Sequence, residues 1–188
     1  ECRHKVMQAS GFLMELVNNV LNMNKLESGE MKPENKPFDL IELLKETTSI
    51  VEMQGQEYAI HFQMQMGKHK YRHLIGSPLY LKQVLQNIGG NAVKYNRAGG
   101  AVTFASEDVA YPDGRVVVKF TCTDTGRGMS REFLAHAFEP FSQENTDART
   151  TFTGTGLGLA ITKQMVELME GTISLKSEQN VGTTISVT

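Results

Sequence analysis

The stretch FTGTGLGLAITKQM, from Phe152 to Met165, places glycines at positions 154, 156 and 158 directly before an apolar helical pattern. Glycine in ordered structure costs on the order of 1 kcal/mol relative to alanine, so we expect a reason for three of them. Unpaired N–H groups at a helix N-terminus, together with the helix dipole, attract anions. The spacing fits neither a Walker loop nor a dinucleotide fingerprint. Alone, the stretch predicts only a phosphate-type anion site.

The composition fits one globular domain with a short additional segment, because 40% of the 188 residues are hydrophobic and 21% are charged. A formal net charge of −2 provides no basic surface for nucleic acid or for an anionic membrane. Cys2 and Cys122 lie far apart, without the spacing of metal ligands. The sequence contains no run of about 18 apolar residues, so no membrane-spanning helix is predicted. Because Glu1 lies inside a helical pattern, we expect a piece of a longer protein, whose other parts could include a membrane anchor.

The N-terminal residues predict a helix with an apolar seam like that of a coiled coil. Spacings of alternately four and three residues join Cys2, Val6, Ala9, Leu13, Leu16, Val20 and Met23. Such a seam favours a partner helix, but packing against the chain's own domain stays open because the apolar surface also includes Phe12, Met14, Val17 and Leu21. Gly29 can cap the helix end, and two following prolines prevent its continuation. The predicted segments are a helix at 1–28, a linker at 29–37 and the main domain at 38–188.

Helix and strand patterns alternate irregularly along the main domain. The predicted order is a helix that Asp39 caps and that runs to about Glu52, strands at 58–66 and 71–75, a helix with Ser77 as N-cap before Pro78 that runs to about Asn96, two strands joined by a turn at 112–114, a short helix after Ser130, the helix of the glycine-rich stretch, and two closing strands. We predict an α/β fold of the two-layer sandwich type, in which helices cover one face of a mixed sheet. A doubly wound parallel sheet is not favoured, because a regular βαβ rhythm is missing.

The helix predicted after Ser77 carries a polar stripe, in which Asn87, Asn91 and Lys94 follow one another at helical spacing. A polar stripe can simply face solvent. Two glycines between the asparagines would destabilise the helix, however, unless another group has to come close. An asparagine carbonyl is a suitable ligand for Mg²⁺, and a lysine can meet phosphate charge. The stripe therefore predicts a metal and phosphate site.

Two further stretches fit a nucleotide site. In DTGRGM, Asp124 to Met129, a carboxylate at a strand end is followed by glycines at 126 and 128, and it could accept a hydrogen bond from an exocyclic amine such as that of adenine. A simple turn with a capping aspartate remains the alternative. FEPFSQ, Phe138 to Gln143, is best explained as an apolar anchor. It precedes a polar segment, 144–153, with the composition and length of an active-site lid.

Together and in this order, the four stretches resemble the N, G1, F and G2 boxes of the ATP-binding catalytic domain of sensor histidine kinases. That family belongs to the GHKL group, with gyrase B, a heat-shock chaperone and the MutL repair protein. The resemblance covers about residues 38–188 and implies the Bergerat-type ATP-binding sandwich. The upstream LNMNKLESGEMKPENKPFDL is similar to the end of the kinases' dimerisation and phosphotransfer hairpin, which gyrase and the chaperone lack. The PFSQ form is similar to hybrid sensor kinases.

The resemblance implies ATP and Mg²⁺ as ligands and assigns roles to residues of this chain. Asn91 would coordinate Mg²⁺ through its amide oxygen, Asn87 would face the phosphates, and Lys94 would meet phosphate. Tyr95 would line the nucleotide, and Asp124 would accept the adenine amine. The other implied binding residues approach the base, the phosphates or the lid hinge, and they are Gly126, Gly128, Gln143, Gly154, Thr155, Gly156, Leu157 and Gly158.

The acceptor of the phosphoryl group is missing from this chain. In the family, the acceptor is a histidine in a His-Glu/Asp-x-Arg-Thr-Pro pattern of the preceding helix. His4 has no such context, and we interpret it as a surface histidine. No catalytic residue is therefore assigned, and we expect the chain to bind ATP without autophosphorylating. Catalysis needs mainly positioning and charge stabilisation, which the chain can retain without the acceptor.

The resemblance also implies partners. In the intact protein these would be its own dimerisation and phosphotransfer helices, in a homodimer, and a response-regulator receiver domain whose aspartate takes the phosphoryl group. The domain would lie in the cytoplasm, and the full-length protein could be anchored in the inner membrane. Nucleic acid is not an expected partner.

Two other classes of function stay open. An ATPase of the gyrase, chaperone or MutL kind would share the four boxes, although the upstream helix and linker argue against it. A degenerate interaction module would keep the fold without nucleotide, although the presence of Asn91 and Asp124 argues against it.

Overall fold

A computed structural model describes residues 2–144 and 154–188, which form five helices and seven strands. In chain order these are α1 (Cys2–Glu27), β1 (Lys36–Asp39), α2 (Leu40–Gln56), β2 (His61–Met66), β3 (His73–Gly76), α3 (Pro78–Lys94), β4 (Ala101–Ala110), β5 (Val117–Asp124), α4 (Arg131–Leu134), α5 (Gly158–Leu168), β6 (Ile173–Glu178) and β7 (Gly182–Val187). A single 3-10 turn joins β4 to β5 within the described residues.

Five strands form one mixed sheet in the order β2-β4-β5-β7-β6. The strands β2 and β4 are parallel, and the other neighbours are antiparallel. The helices α2, α3 and α5 share one apolar core with alternate residues of the central strands, among them Val102, Phe104, Phe120, Cys122 and Ile185. The predicted two-layer α/β sandwich with a mixed sheet is confirmed.

In the part of the chain that the structure describes, the opposite face of the sheet carries hydroxyl side chains and no second helical layer. Thr121 and Ser186 lie opposite each other in neighbouring strands, with 3.3 Å between their hydroxyl oxygens. The hydroxyls of Thr123 and Thr184 are 3.1 Å apart in the same way. Each pair can share a hydrogen bond, so this face is polar, as the alternation of a one-sided sheet requires.

The close approach expected at the mid-helix glycines occurs at Gly89, on the core side. A Cβ at this position would lie 2.7 Å from Val51 Cγ2 and 2.9 Å from Phe104 Cζ. Val51 belongs to α2 and Phe104 to β4, and both are buried. Gly89 therefore lets α3 pack closely on its neighbours. At Gly90 an added Cβ would come no nearer than 4.0 Å to Gln54 Oε1.

The predicted cap of α2 is confirmed. Asp39 Oδ1 accepts hydrogen bonds from the backbone N–H groups of Ile41 at 2.9 Å and Glu42 at 3.1 Å. Its other carboxylate oxygen accepts a hydrogen bond from Arg72. The helix runs to Gln56, one turn beyond the predicted end.

Other element boundaries differ from the prediction. Ser77 lies at the N-cap position before Pro78 as predicted, but its side chain does not cap α3, and its Oγ instead accepts a hydrogen bond from the backbone N–H of Glu34 at 3.2 Å. The strand expected at 58–66 begins only at His61, after a turn. The following strand, β3, pairs with β1 and not with the main sheet. That pairing was unpredicted, because β1 begins inside the segment interpreted as a linker.

The predicted N-terminal helix is α1, and it ends as expected before Gly29, which has a φ of +69°. Near its end, Met23 and Leu26 pack against the core. Other apolar side chains of this helix are exposed, namely Leu13, Met14, Val17, Val20 and Leu21. The described part of α1 thus contacts its own domain and also presents an apolar surface. The side chain of His4 lies outside the described part, so its interpretation stays a prediction.

No helix within residues 2–144 and 154–188 combines the length and apolar character that crossing a membrane would require.

Candidate functional site

A cleft opens between α3, the end of β5 and the start of α5. Eleven of the thirteen predicted binding residues line it: Asn87, Asn91, Lys94, Tyr95, Asp124, Gly128, Gln143, Gly154, Thr155, Gly156 and Gly158. These residues come from four separate stretches of sequence. The fold therefore brings the four motifs to one place, and such a concave site with converging polar groups is typical of a ligand pocket.

Asp124 lies at the end of β5, where the strand leaves the sheet. Its Oδ1 accepts hydrogen bonds from the backbone N–H groups of Gly126 at 2.8 Å and Thr183 at 3.3 Å. Burial raises the pKa of the Asp124 carboxyl to about 6, although these two N–H donors act in the opposite direction. Gly126 itself does not line the cleft. It lies behind the carboxylate and holds it in place.

The side chain of Asn87 joins α3 to the first turn of α5. Its Nδ2 donates hydrogen bonds to the carbonyl of Gly158, at 2.7 Å, and to the hydroxyl of Thr162. A Cβ on Gly158 would lie 2.9 Å from Asn87 Oδ1, so glycine permits this contact. The amide N–H groups of Asn87 thus face α5. The resemblance implies that Asn87 faces the phosphates. In this arrangement only its amide oxygen is left for that contact.

The two other glycines of the stretch make room for other groups of the protein. A Cβ on Gly154 would lie 2.8 Å from the hydroxyl oxygen of Tyr95. A Cβ on Gly156 would lie 2.6 Å from the backbone carbonyl carbon of Phe141. Gly156 also has a φ of +70°, which side chains disfavour. The alternating glycines therefore let three protein groups close around residues 154–158, which we call the glycine loop.

Gln143 and Leu157 fix the glycine loop on either side. Gln143 Nε2 donates a hydrogen bond to the carbonyl of Gly154 at 2.6 Å. Leu157 does not line the cleft, because its side chain is 0% exposed and belongs to the core. The loop is thus anchored in the core while its neighbours, Thr155 and Gly156, face the cleft.

Two cations lie beside the ring of Tyr95. The guanidinium carbon of Arg127 is 4.6 Å from the ring centroid, and Lys94 Nζ is 5.4 Å from it. Both distances are within the range of cation–π contacts. This wall of the cleft is therefore positively charged, which suits an anionic ligand.

Several lining residues were missed from the sequence, among them Arg127, Met129, Phe133, Thr183 and Ile185. Arg127 and Met129 belong to the DTGRGM stretch, so their position could have indicated them. The others come from α4 and β7, and only tertiary folding brings them to the cleft.

Comparisons with known proteins identify a family that matches this chain. Residues 76–188 match the family model described as "Histidine kinase-, DNA gyrase B-, and HSP90-like ATPase". The peroxide stress-activated histidine kinase mak1 of Schizosaccharomyces pombe is 30% identical over 179 residues, which cover 95% of this chain and 11% of that protein. The sensor histidine kinase GacS of Pseudomonas protegens is 30% identical over 177 residues, covering 94% of this chain and 19% of that protein.

Among solved structures, the crystal structure of full-length ShkA in complex with AMPPNP resembles this chain with a TM-score of 0.79 and 29% identity. The match covers 97% of this chain and 37% of ShkA. The chain thus spans only 11% and 19% of the lengths of mak1 and GacS. Because the family model matches residues 76–188, which are more than half of its length, the chain belongs to the histidine kinase-, DNA gyrase B- and HSP90-like ATPase family.

Proposed function

We propose that this chain is the ATP- and Mg²⁺-binding catalytic domain of a sensor histidine kinase, at residues 38–188, preceded by the end of a dimerisation helix at 1–28 and a linker at 29–37. The parent protein would transfer the γ-phosphoryl group of ATP to a histidine of its own dimerisation helices. A response-regulator receiver domain would then take the group on an aspartate. We expect this domain to act in the cytoplasm, with any membrane anchor in another part of the parent protein.

The observation that carries the proposal is that Asp124, Asn91 and the glycine loop share one cleft. We assign the base end of the nucleotide to Asp124. Its carboxylate is held by two backbone N–H groups and can accept a hydrogen bond from the adenine amine. The apolar lining nearby, including Ile88 and Ile185, suits a flat base.

The phosphate end is assigned to the α3 stripe, the glycine loop and the N-terminus of α5. Lys94 and the backbone N–H groups at the start of α5 provide the positive charge. Phosphoryl transfer depends mainly on positioning and charge stabilisation, so these groups suffice for the protein's share at this end.

Magnesium fits the site only together with a nucleotide. Within residues 2–144 and 154–188, no group of three or more His, Cys, Asp or Glu side chains is placed to hold a metal ion. Mg²⁺ is commonly bound through one or two protein oxygens and substrate phosphates. Asn91 lines the cleft, and its amide oxygen would offer such a ligand. Bound Mg²⁺ would neutralise phosphate charge, while the chain orients the triphosphate.

The kinase proposal is favoured over an ATPase of the gyrase, chaperone or MutL kind. The matches to mak1, GacS and ShkA cover 94 to 97% of the chain, and therefore extend into α1 as well as the nucleotide-binding part. A degenerate module without nucleotide is disfavoured because the cleft retains both Asp124 and Asn91.

Isothermal titration of the 188-residue chain with AMPPNP, with and without Mg²⁺, tests the proposal. Asp124→Ala is expected to abolish binding, and Asn91→Ala to remove its dependence on Mg²⁺. Gln83→Ala is the matched control, because Gln83 lies on α3 outside the cleft. Wild-type affinity in both site variants would reject the assignment. Steady phosphate release from ATP by the wild-type chain would favour the ATPase alternative.

A further inference from the structure

One polar side chain interrupts the apolar face by which α1 packs on the rest of the domain. Met23 and Leu26, on this face, pack against the core. Asn19 lies one turn before Met23 and therefore on the same side of the helix. It is half-buried, and its Nδ2 donates a hydrogen bond to Thr155 Oγ1 at 3.0 Å. A buried amide is costly without a partner, and here the partner belongs to the cleft.

Thr155 connects this contact to the nucleotide site. Its side chain is 6% exposed, and the residue lines the cleft. Its Oγ1 also accepts a hydrogen bond from the backbone N–H of Leu157 at 3.3 Å. Leu157 immediately precedes α5 and is anchored in the core. One hydroxyl oxygen therefore joins α1 to the backbone of the glycine loop.

We infer that Asn19 is a positioning residue of the nucleotide site, which holds the glycine loop in its binding shape through the hydroxyl of Thr155. The inference rests on the proposed function, because it requires that the cleft binds nucleotide. The contacts of Phe141 and Asn87 with the loop come from the same domain as the cleft, whereas that of Asn19 comes from α1. By linkage, docking of α1 and binding of nucleotide then strengthen each other to the same extent.

A double-mutant cycle on AMPPNP affinity tests this role in the full 188-residue chain. Asn19→Leu removes the hydrogen bond and keeps the packing face apolar, while Thr155→Val removes the acceptor. We expect Asn19→Leu to weaken AMPPNP binding about fivefold, the effect of one hydrogen bond. In the Thr155→Val background, Asn19→Leu should have no further effect. In the Thr155→Ser background, which keeps the hydroxyl, the fivefold effect should return.

Asn18→Ala is the matched control, because Asn18 is exposed on the same helix. The AMPPNP affinity of this variant should equal that of the wild type. Two results overturn the inference: unchanged affinity in Asn19→Leu, or equal losses with and without the Thr155 hydroxyl. Thermal melting without nucleotide checks folding, and Asn19→Ala replaces Asn19→Leu in the cycle if the latter unfolds. A wild-type chain that does not bind AMPPNP overturns the proposed function itself, and the inference falls with it.

Discussion

His69 and Asp108 form a buried pair outside the cleft, with 2.6 Å between Nδ1 and Oδ1 and side chains only 3% and 1% exposed. Asp108 also accepts hydrogen bonds from the backbone N–H of Lys70 at 2.7 Å and from the hydroxyl of Tyr111 at 2.9 Å. Burial acts to raise the pKa of the Asp108 carboxyl, but the hydrogen bonds outweigh it and lower the pKa overall. This pairing fastens the connection between β2 and β3 to the end of β4.

Asp108→Asn is expected to lower the free energy of unfolding at pH 7 by about 2 kcal/mol, because the Lys70 N–H and the Tyr111 hydroxyl lose a charged hydrogen-bond acceptor. Because the folded-state pKa is lowered, Asp108 stabilises the fold above its unfolded pKa, and this stabilisation is lost as pH falls through the folded value. Urea denaturation at pH 7 and at pH 3 should therefore show a deficit that shrinks in acid. The control Glu107→Gln changes an exposed neighbour, and an equal loss there would contradict the prediction.

AMPPNP affinity should depend on the ionisation of Asp124, whose pKa is raised by burial to about 6. The ionised carboxylate is the better acceptor for the adenine amine, so affinity should fall about tenfold per pH unit below pH 6 and level off above it. Titrations between pH 5 and pH 8 check this. The phosphates of AMPPNP titrate in the same range, so Asp124→Asn serves as the control for their contribution.

For the chain without nucleotide, the Asp124 carboxyl is expected to have the opposite pH dependence: its ionisation lowers the stability of the fold. Its folded pKa of about 6 lies above the reference value of 3.8, so the folded state holds the proton more tightly. Stability should therefore decrease as pH rises between these values, by up to about 3 kcal/mol. Asp124→Asn should lack this decrease in urea denaturation, and a parallel pH profile for both proteins would rule the prediction out.

Gly156→Ala should lower AMPPNP affinity by more than its loss of folding stability would account for. Its φ of +70° and the backbone of Phe141, 2.6 Å from an added Cβ, require the glycine loop to move. We expect at least a tenfold loss of AMPPNP affinity. Gly99→Ala is the matched control, because Gly99 has a φ of +73° with no atom within 4 Å of an added Cβ. It should lose about 1 kcal/mol of stability and keep wild-type affinity. Equal affinities in the two variants would show that the Phe141 contact does not shape the loop.

The adjacent glycines of α3 should respond in opposite directions to alanine. Gly89→Ala forces a Cβ against Val51 and Phe104, and such overpacking typically costs about 1–3 kcal/mol. Gly90→Ala meets only Gln54 Oε1 at 4.0 Å and should stabilise the helix by up to about 1 kcal/mol. The midpoints of urea unfolding distinguish them, and equal shifts would contradict the packing role of Gly89.

Local chemistry made part of the fold predictable. Asp39 was recognised as a cap because its partners, Ile41 and Glu42, are its sequence neighbours. Ser77 occupies the N-cap position of α3 as predicted, but its hydroxyl accepts a hydrogen bond from the backbone N–H of Glu34, 43 residues away, and not from its own helix. The pairing of β1 with β3 was missed because β1 begins inside the segment interpreted as a linker, far in sequence from the strand predicted at 71–75.

The part of the site formed by the sequence motifs was predictable. The spacing of Asn87 and Asn91 and the DTGRGM and glycine-rich stretches indicated most of the cleft. The spacing could not reveal which neighbour each glycine accommodates, or that Leu157 turns into the core, because those contacts depend on how α5 packs. Thr183 carried no signal, because it contributes through its backbone N–H.

The paired hydroxyls on the outer face of the sheet affect whether copies of this domain associate through that face. Thr121 can share a hydrogen bond with Ser186, and Thr123 with Thr184, across neighbouring strands. These polar side chains can therefore remain in contact with water. It needs no further layer to cover it, and it offers a second sheet little apolar area to stack upon. These four small side chains, which take no part in the cleft, therefore disfavour face-to-face stacking of two copies through this part of the sheet.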